Sequence, residues 1–280
     1  MARAGGKPFS FTPAAPPSFH TQALVLQLNP QGESDIRLDL FTRERGRLSA
    51  LAKGGKRSRR RFTGLLLLAH YLEVELRPPR RGGELMWLDG ARLLLPFLGI
   101  RQDYRRFLAA APVLELLLRA TAEGDPQPAA LELALLSLSR LEGADTAPEM
   151  LCALVVFLTR LLGELGYGLE LRRCLRCGGA ALEGRTARLS LEGGLVCGRC
   201  GGGRQVVQVP AGLVRGLAAA GSLEPEALAR LRFTPGTLRP ALEFLSRFWR
   251  QVTGRELPSL AAAAGLWQGA TPAGKPLAPG

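Results

Sequence analysis

Four cysteines in two matched pairs carry the most specific chemistry in the chain. Cys174-Leu175-Arg176-Cys177-Gly178 and Cys197-Gly198-Arg199-Cys200-Gly201 are near copies, with nineteen residues between Cys177 and Cys197. Two thiolates three positions apart fit a tight knuckle, and the glycine after each pair lets the backbone turn under the sulfur. Two knuckles offer a tetrahedral four-sulfur set, which zinc accepts without geometric strain and which leaves no open position for water or substrate. The expected cofactor is therefore structural zinc, held by Cys174, Cys177, Cys197 and Cys200. Between the pairs, 187–191 and 195–196 flank Gly193-Gly194 and predict a small hairpin, so 174–203 reads as a zinc ribbon. Cys152 lies beside an apolar helical stripe and is expected in the core.

The second chemistry is charge. From Arg37 to Arg61 there are ten cations (Arg37, Arg43, Arg45, Arg47, Lys53, Lys56, Arg57, Arg59, Arg60 and Arg61) against Asp39 and Glu44. Ten against two leaves +8 of a total of +13. Cations meet phosphates and an aromatic ring meets a base, so this stretch predicts a nucleic-acid surface. Arg37, Phe41, Arg47 and Ser49 are expected to point outward from two strands, with Arg43 and Arg45 at the turn between them. Lys53 to Arg61 is expected as a mobile basic flap that cannot fold on itself, because like charges repel.

Other candidates assemble nothing. His20 and His70 have no evident Ser, Cys or carboxylate partner, and His70 reads as an ordinary barrel residue. Glu73 and Glu75 read as one solvated strand face. There is neither a G-x-x-x-x-G-K-[ST] loop nor a G-x-G-x-x-G after a strand. The expectation is that this is not an enzyme.

The elements that must position these groups follow from periodicity. Leu24, Leu26 and Leu28 alternate with Val25 and Gln27. Ile36, Leu38 and Leu40 alternate with Arg37, Asp39 and Phe41, and Leu48, Ala50 and Ala52 with Arg47, Ser49 and Leu51. His70 to Arg77 and Glu84 to Leu95 supply two more strands. Five strands in about seventy residues, with regular turns, predict a small closed OB-like barrel over 21–96. Beyond Pro96 the period becomes helical: Phe97–Arg119, Ala129–Leu141 and Pro148–Tyr167, the last with Leu151, Leu154, Val155, Leu158, Leu162 and Leu165 on one stripe. After the ribbon, 204–256 continues the helical domain, with Thr234 as cap and Pro235 at the first position of a helix striped by Leu238, Leu242, Leu245, Trp249 and Val252. The fold class is thus α+β and multidomain. Residues 1–20 read as a flexible basic arm and 257–280 as a disordered tail.

Composition narrows the partners. A pI near 10.6 predicts an acidic one, nucleic acid before membrane. The longest clear apolar run, Met150 to Leu158, has nine residues, too few to span a bilayer. The N-terminal stretch has no apolar core of a secretory signal, and paired C-x-x-C motifs suit a reducing compartment, so the expected location is the cytoplasm.

In this order, the pieces resemble the RecO family of bacterial recombination and repair mediators. The residues that carry the resemblance are Asp35 to Thr42 (DIRLDLFT), Gly46-Arg47, Ala52-Lys53-Gly54-Gly55, Leu95-Pro96 and Gly254 to Ser259 (GRELPS), spread over Gln22 to Leu260. The long N-terminal arm and the Ala/Gly/Pro tail depart from the pattern. The resemblance implies a non-enzymatic, nucleoid-associated mediator that binds single- and double-stranded DNA and anneals complementary strands. It also implies association with RecR, engagement of the tail of the single-stranded-DNA-binding protein, and help in loading RecA recombinase. For that acidic, apolar tail, Arg119, Arg160, Arg172 and Arg173 beside leucine-rich faces are the expected receptor. Two rivals stand beside it. One is an RNA-binding or ribosome-associated zinc-ribbon protein. The other is a DNA ligase fragment, whose K-x-D-G motif is met here only by Trp87-Leu88-Asp89-Gly90, with Trp87 in place of the lysine.

Overall fold

The computed structural model describes residues 17–79, 82–182, 184–203, 205–228 and 230–266. Most of the expected N-terminal arm (1–16) and the end of the expected tail (267–280) lie outside the described residues.

Five strands close into an OB-like barrel: β1 (Phe19–Gln31), β2 (Asp35–Thr42), β3 (Gly46–Ala52), β4 (Tyr71–Arg77) and β5 (Met86–Leu95), in the order β1-β2-β3-β5-β4. All neighbours are antiparallel except β3 and β5, which meet in parallel at Ala50↔Met86 and Leu51↔Trp87. Alternation fills the interior with Val25, Leu38, Leu40, Leu72, Val74 and Leu88, among others. The β3–β4 connection adds Phe62 and Leu66 to that interior, so the loop is corked into the barrel it leaves. Along β1 the expected phase is reversed: Val25 faces in, whereas Leu24 and Leu26 face out into the helical core. A register shift between Val25 and Gln27 then brings Leu28 back against the interior. His70 precedes β4 rather than belonging to it.

The helical body comprises α1 (Leu98–Gln102), α2 (Tyr104–Ala120), α3 (Pro128–Glu142), α4 (Ala147–Glu164), α5 (Ala211–Ser222), α6 (Pro225–Leu228), α7 (Pro235–Thr253) and α8 (Pro258–Ala264). Helix α4 is its axle. The single stripe expected for it is too narrow: Met150 to Thr159 is buried all round. A capping box starts it, with Thr146 Oγ1 accepting from the Glu149 amide and the Glu149 carboxylate accepting from the Thr146 amide. The amides of Thr146 and Asp145 hold the Glu149 carboxyl below its ordinary value. Helix α7 buries Leu238, Leu242, Leu245 and Trp249 as its stripe requires, but Thr234 makes no side-chain cap bond to the helix backbone. The tail expectation from residue 257 is corrected. Pro258 starts α8, which packs on α2 and α7 through Leu257, Leu260 and Ala263, all buried.

A three-stranded sheet, β6 (Thr186–Ser190), β7 (Gly194–Val196) and β8 (Val206–Pro210), in the order β7-β6-β8, forms the ribbon. Its third strand carries the ribbon past the expected boundary at 203 to Pro210, where α5 begins. The inner side of this sheet (Ala187, Leu189, Leu195, Val209) joins the same core as the helices. So does one outer wall of the barrel, through Leu24, Leu26, Phe41 and Tyr71. One continuous apolar core therefore ties wall, helices and ribbon, and the barrel interior is a second, separate core.

Candidate metal centre and nucleic-acid surface

The two knuckles converge as their spacing predicts. The sulfurs of Cys174, Cys177, Cys197 and Cys200 all lie within 4.8 Å of one another, with Cys177 Sγ 3.7 Å from Cys197 Sγ. A tetrahedral ion with metal–sulfur bonds of about 2.3 Å needs sulfurs about 3.8 Å apart, so the cluster fits. Gly178 follows the first pair at φ +69°, in the left-handed region that glycine favours. After the second pair the reason for glycine is different. A Cβ on Gly201 would lie 2.5 Å from Arg188 Cδ, so that side chain needs the space. Arg176 bridges the knuckles, donating to the Cys200 carbonyl (2.6 Å) and the Gly202 carbonyl (3.1 Å) while pairing with Glu192 (3.3 Å). Glu170 braces the approach, its carboxylate accepting from the amides of Arg172 (2.7 Å) and Arg173 (3.2 Å).

The acid–base balance of the cluster calls for a cation. The Cys197 amide donates to Cys174 Sγ (3.3 Å) and is the first cause that pulls the Cys174 thiol down to about 6. Cys200 is pushed up to about 12, first by its contact with the Cys197 sulfur. Four crowded sulfurs cannot all ionise unless a positive ion takes up their charge. Together they could hold a metal ion. Cys152 stands apart, buried, its thiol donating to the Leu231 carbonyl (3.5 Å), in keeping with a core role.

The basic stretch divides into two groups. One group docks the barrel. Phe41 is fully buried against the helical core, so its expected outward presentation is corrected. Outward from a barrel is not outward to water when a second body covers that wall. Arg43 pairs with Glu132 of α3 at 2.7 Å, and that carboxylate raises the guanidinium's affinity for its proton. Arg47 is half-buried and donates to the Thr121 carbonyl at 3.3 Å, while its own carbonyl accepts from the Gly124 amide at 2.9 Å. Gly46, at φ +61°, lies so close to the α2–α3 loop that a Cβ there would sit 1.9 Å from the Asp125 carbonyl oxygen. Ser49 lies on the outer side, between Leu48 and Ala50 of the barrel interior, yet it is not presented to solvent. It is buried, donating to Asp39 (2.7 Å) and accepting from Arg37 (3.0 Å).

The other group is open to solvent: Arg37, Arg45, Lys53, Lys56, Arg57, Arg59, Arg60 and Arg61 are exposed. Arg45 lies over the Phe19 ring at 3.8 Å. The flap is folded rather than loose, against expectation. Gly55–Arg57 forms a 3-10 turn. Ser58 Oγ accepts from the amides of Arg61 and Phe62 (both 3.1 Å), Lys56 Nζ donates to the Gly32 carbonyl (2.7 Å), and Arg61 donates to the Lys53 carbonyl (2.9 Å). The charge sits on exposed side-chain ends and leaves the backbone free to turn. Asp35 anchors the base of the loop. Its carboxylate accepts from the Gly54 amide (2.8 Å), which is the first cause holding it below its ordinary value.

Of the residues weighed and set aside, His70 is buried. Its Nδ1 lies 2.8 Å from the Leu65 carbonyl and its Nε2 meets Arg101. Burial, helped by Arg101, keeps the ring's affinity for a proton below its usual value. The four arginines expected around a peptide groove do not converge. Arg160 and Arg172 line one cavity of about 530 Å³, where Arg160 donates to the carbonyls of Ala220 and Leu223. Arg119 pairs with Glu115 and lines another, of about 360 Å³, together with Arg101, Leu26 and Phe107.

Trp87, noted in the sequence only where a ligase lysine would stand, occupies the outer side of β5, between Met86 and Leu88, which pack on the barrel interior. Alternation does not run unbroken along the strand: a register shift opposite Glu75 and Leu76 brings Ala91 and Leu93 to the same inner side.

Comparison with known proteins follows the same division of the chain. Residues 17–97 match the family described as Recombination protein O N terminal, and residues 101–261 the family described as Recombination protein O C terminal. Among similar proteins is the DNA repair protein RecO of Myxococcus xanthus, 35% identical over 220 residues, which cover 76% of this chain and 88% of that protein. RecO of Anaeromyxobacter sp. (strain K) is 35% identical over 243 residues, 84% of this chain and 91% of its own. RecO of Syntrophobacter fumaroxidans is 37% identical over 159 residues, and there the match spans 56% of this chain and 61% of that protein. With an OB-like barrel, a helical body and a four-cysteine ribbon in the matched order, the chain belongs to the RecO family of DNA repair proteins.

Proposed function

We propose that this protein is a non-enzymatic recombination mediator that binds single- and double-stranded DNA through its barrel, anneals complementary single strands, and works with RecR to load RecA in the cytoplasm. The observation that carries the reading is the cluster of exposed cations from Lys53 to Arg61, set on a loop whose backbone is held by Ser58 and Phe62. A fixed loop with exposed cationic side chains follows a phosphate backbone without choosing a sequence, which suits a protein that must act on any strand. The ion in the ribbon is zinc, because four thiolates at tetrahedral spacing suit it and leave it no open position. Its role is to fold the ribbon into the helical core, not to react. For the acidic, apolar tail of the single-stranded-DNA-binding protein, the groove bearing Arg101 and Arg119 is the better receptor. Arg160, in the other cavity, is already committed to two backbone carbonyls.

The test is annealing of complementary DNA strands pre-coated with single-stranded-DNA-binding protein, with matched RNA strands as the second arm. The expected result is faster annealing of coated DNA than without the protein. Tighter binding to RNA with no effect on coated DNA would replace this reading with the ribosome-associated one.

A further inference from the structure

We propose that Trp87 is the residue on which a DNA base stacks, at the centre of a row running across four strands of the barrel. This rests on the DNA-binding reading above and names the contact that reading lacks. The row is set by register: Arg37 of β2 lies opposite Leu51 of β3, Leu51 opposite Trp87 of β5, and Trp87 opposite Arg77 of β4. All four are on the outer side, since Leu38, Leu76 and Leu88 beside them face the interior. Leu51 and Trp87 are only half-buried, and neither belongs to either apolar core. They form an apolar ledge on a wall that no helix covers among the described residues.

Elimination leads to the same residue. The other Phe and Tyr rings of residues 17–97 are engaged: Phe19 lies under Arg45, Phe41 and Phe97 are buried in the helical core, and Phe62 fills the barrel. Tyr71 is buried, with its hydroxyl donating to Gln22. The exposed imidazole of His20 lies on β1, outside this row, so Trp87 is the large ring left with a face to offer. The charges around it are uneven. Arg77 is neutralised by two bonds to Asp89 (2.6 and 2.9 Å) and serves as a side wall. Arg37, by contrast, spends one bond on the neutral Ser49 hydroxyl and lies 3.8 Å from Asp39. The flap begins two residues past Leu51. A strand whose phosphates follow Arg37 and the flap can turn a base onto the ledge, where Trp87 holds it by stacking, a contact indifferent to both sequence and salt.

The test is binding of the full chain to oligodeoxythymidylate, read by anisotropy and by tryptophan fluorescence in a Trp267→Phe background. Trp249 is 1% exposed and should report little. Trp87→Ala should weaken binding by roughly five- to a hundredfold at every salt concentration, leaving the salt slope unchanged. Trp87→Phe keeps a ring, so it should bind within a few-fold of the parent while losing most of the fluorescence change. Folding of both variants is checked by circular dichroism. If Trp87→Ala does not fold, the fluorescence of Trp87→Phe decides. Parental affinity in a folded Trp87→Ala, or a fluorescence change that survives in Trp87→Phe, overturns the inference while the DNA-binding reading stands. A parent that fails to bind DNA removes both.

Discussion

Replacing Lys56, Arg57, Arg59, Arg60 and Arg61 with alanine should change how DNA binding responds to salt more than it changes anything else. On a single strand each neutralised phosphate contributes about −0.7 to the slope of log affinity against log salt, so five cations account for at most roughly −3.5. Three of the five are partly engaged: Arg57 lies 3.4 Å from Glu33, Lys56 donates to the Gly32 carbonyl and Arg61 to the Lys53 carbonyl. The expected flattening is therefore about 2 to 3. Between about 50 and 200 mM salt, that difference closes the gap between parent and variant by roughly thirtyfold, because a fourfold salt change is raised to the power of about 2.5. The assay is anisotropy titration at several salt concentrations with oligonucleotides of unrelated sequence. Ser58 and Phe62 remain, so the loop stays anchored and the fold should persist. Arg43→Ala is the control: it loses the Glu132 pair and should loosen the barrel's seat on the helices without flattening the slope. An unchanged slope in the five-fold variant, with annealing equal to the parent, would refute the reasoning and leave the flap a charged loop.

Three further outcomes follow from the packing. Freshly purified protein should hold one zinc per chain by elemental analysis. Cys197→Ser should lower the thermal midpoint of the helical body while the barrel keeps part of its DNA affinity, because Cys174 and Cys197 lie in the shared core; protein free of metal would contradict this. Phe41→Ala should cost about 3–5 kcal/mol in denaturant unfolding with the salt slope intact, and a fully stable variant that binds DNA less well would return Phe41 to the DNA surface. Thr146→Ala should cost about 1 kcal/mol by loss of the α4 cap. Its partner Glu149 has a folded-state pKa depressed below 4.5, so its stabilisation is present above that pH and lost as the pH falls through the lower, folded value. The stability gap between the parent and Glu149→Gln should therefore be present at neutral pH and vanish in acid, and a gap independent of pH would deny the carboxylate its role.

What could be read from the sequence was whatever depends on neighbours along the chain. The knuckles close because three-residue spacing and the turn after Cys177 are local. The strands form because Leu38 and Leu40 alternate with polar partners. The failures share one cause, which is contact with a distant segment. Nothing near Phe41 or Arg47 announces that α2 and α3 will cover their wall. Nothing near Leu260 shows that a stretch rich in alanine will find α2. The flap differs in cause. Its charge sits on side-chain ends and not on the backbone, so Ser58 can organise the amides beneath it. Trp87 is hidden by the register shift in β5, which breaks the alternation that would have marked its side.

The shared core also has a consequence for how the chain comes into being. Synthesis from the N-terminus completes the barrel at Leu95, once β5 has closed it against β3 and β4. Until the helices that follow have folded, Leu24, Leu26, Phe41 and Tyr71 form a bare oily flank, because their cover comes from α2 and the elements beyond it. Every nascent chain passes through this sticky interval, which lasts seconds at ordinary elongation rates of about 5–20 residues per second. A barrel cut out for biochemistry would be frozen in it. Such a fragment should self-associate, and its DNA binding would report on clusters rather than on a single molecule.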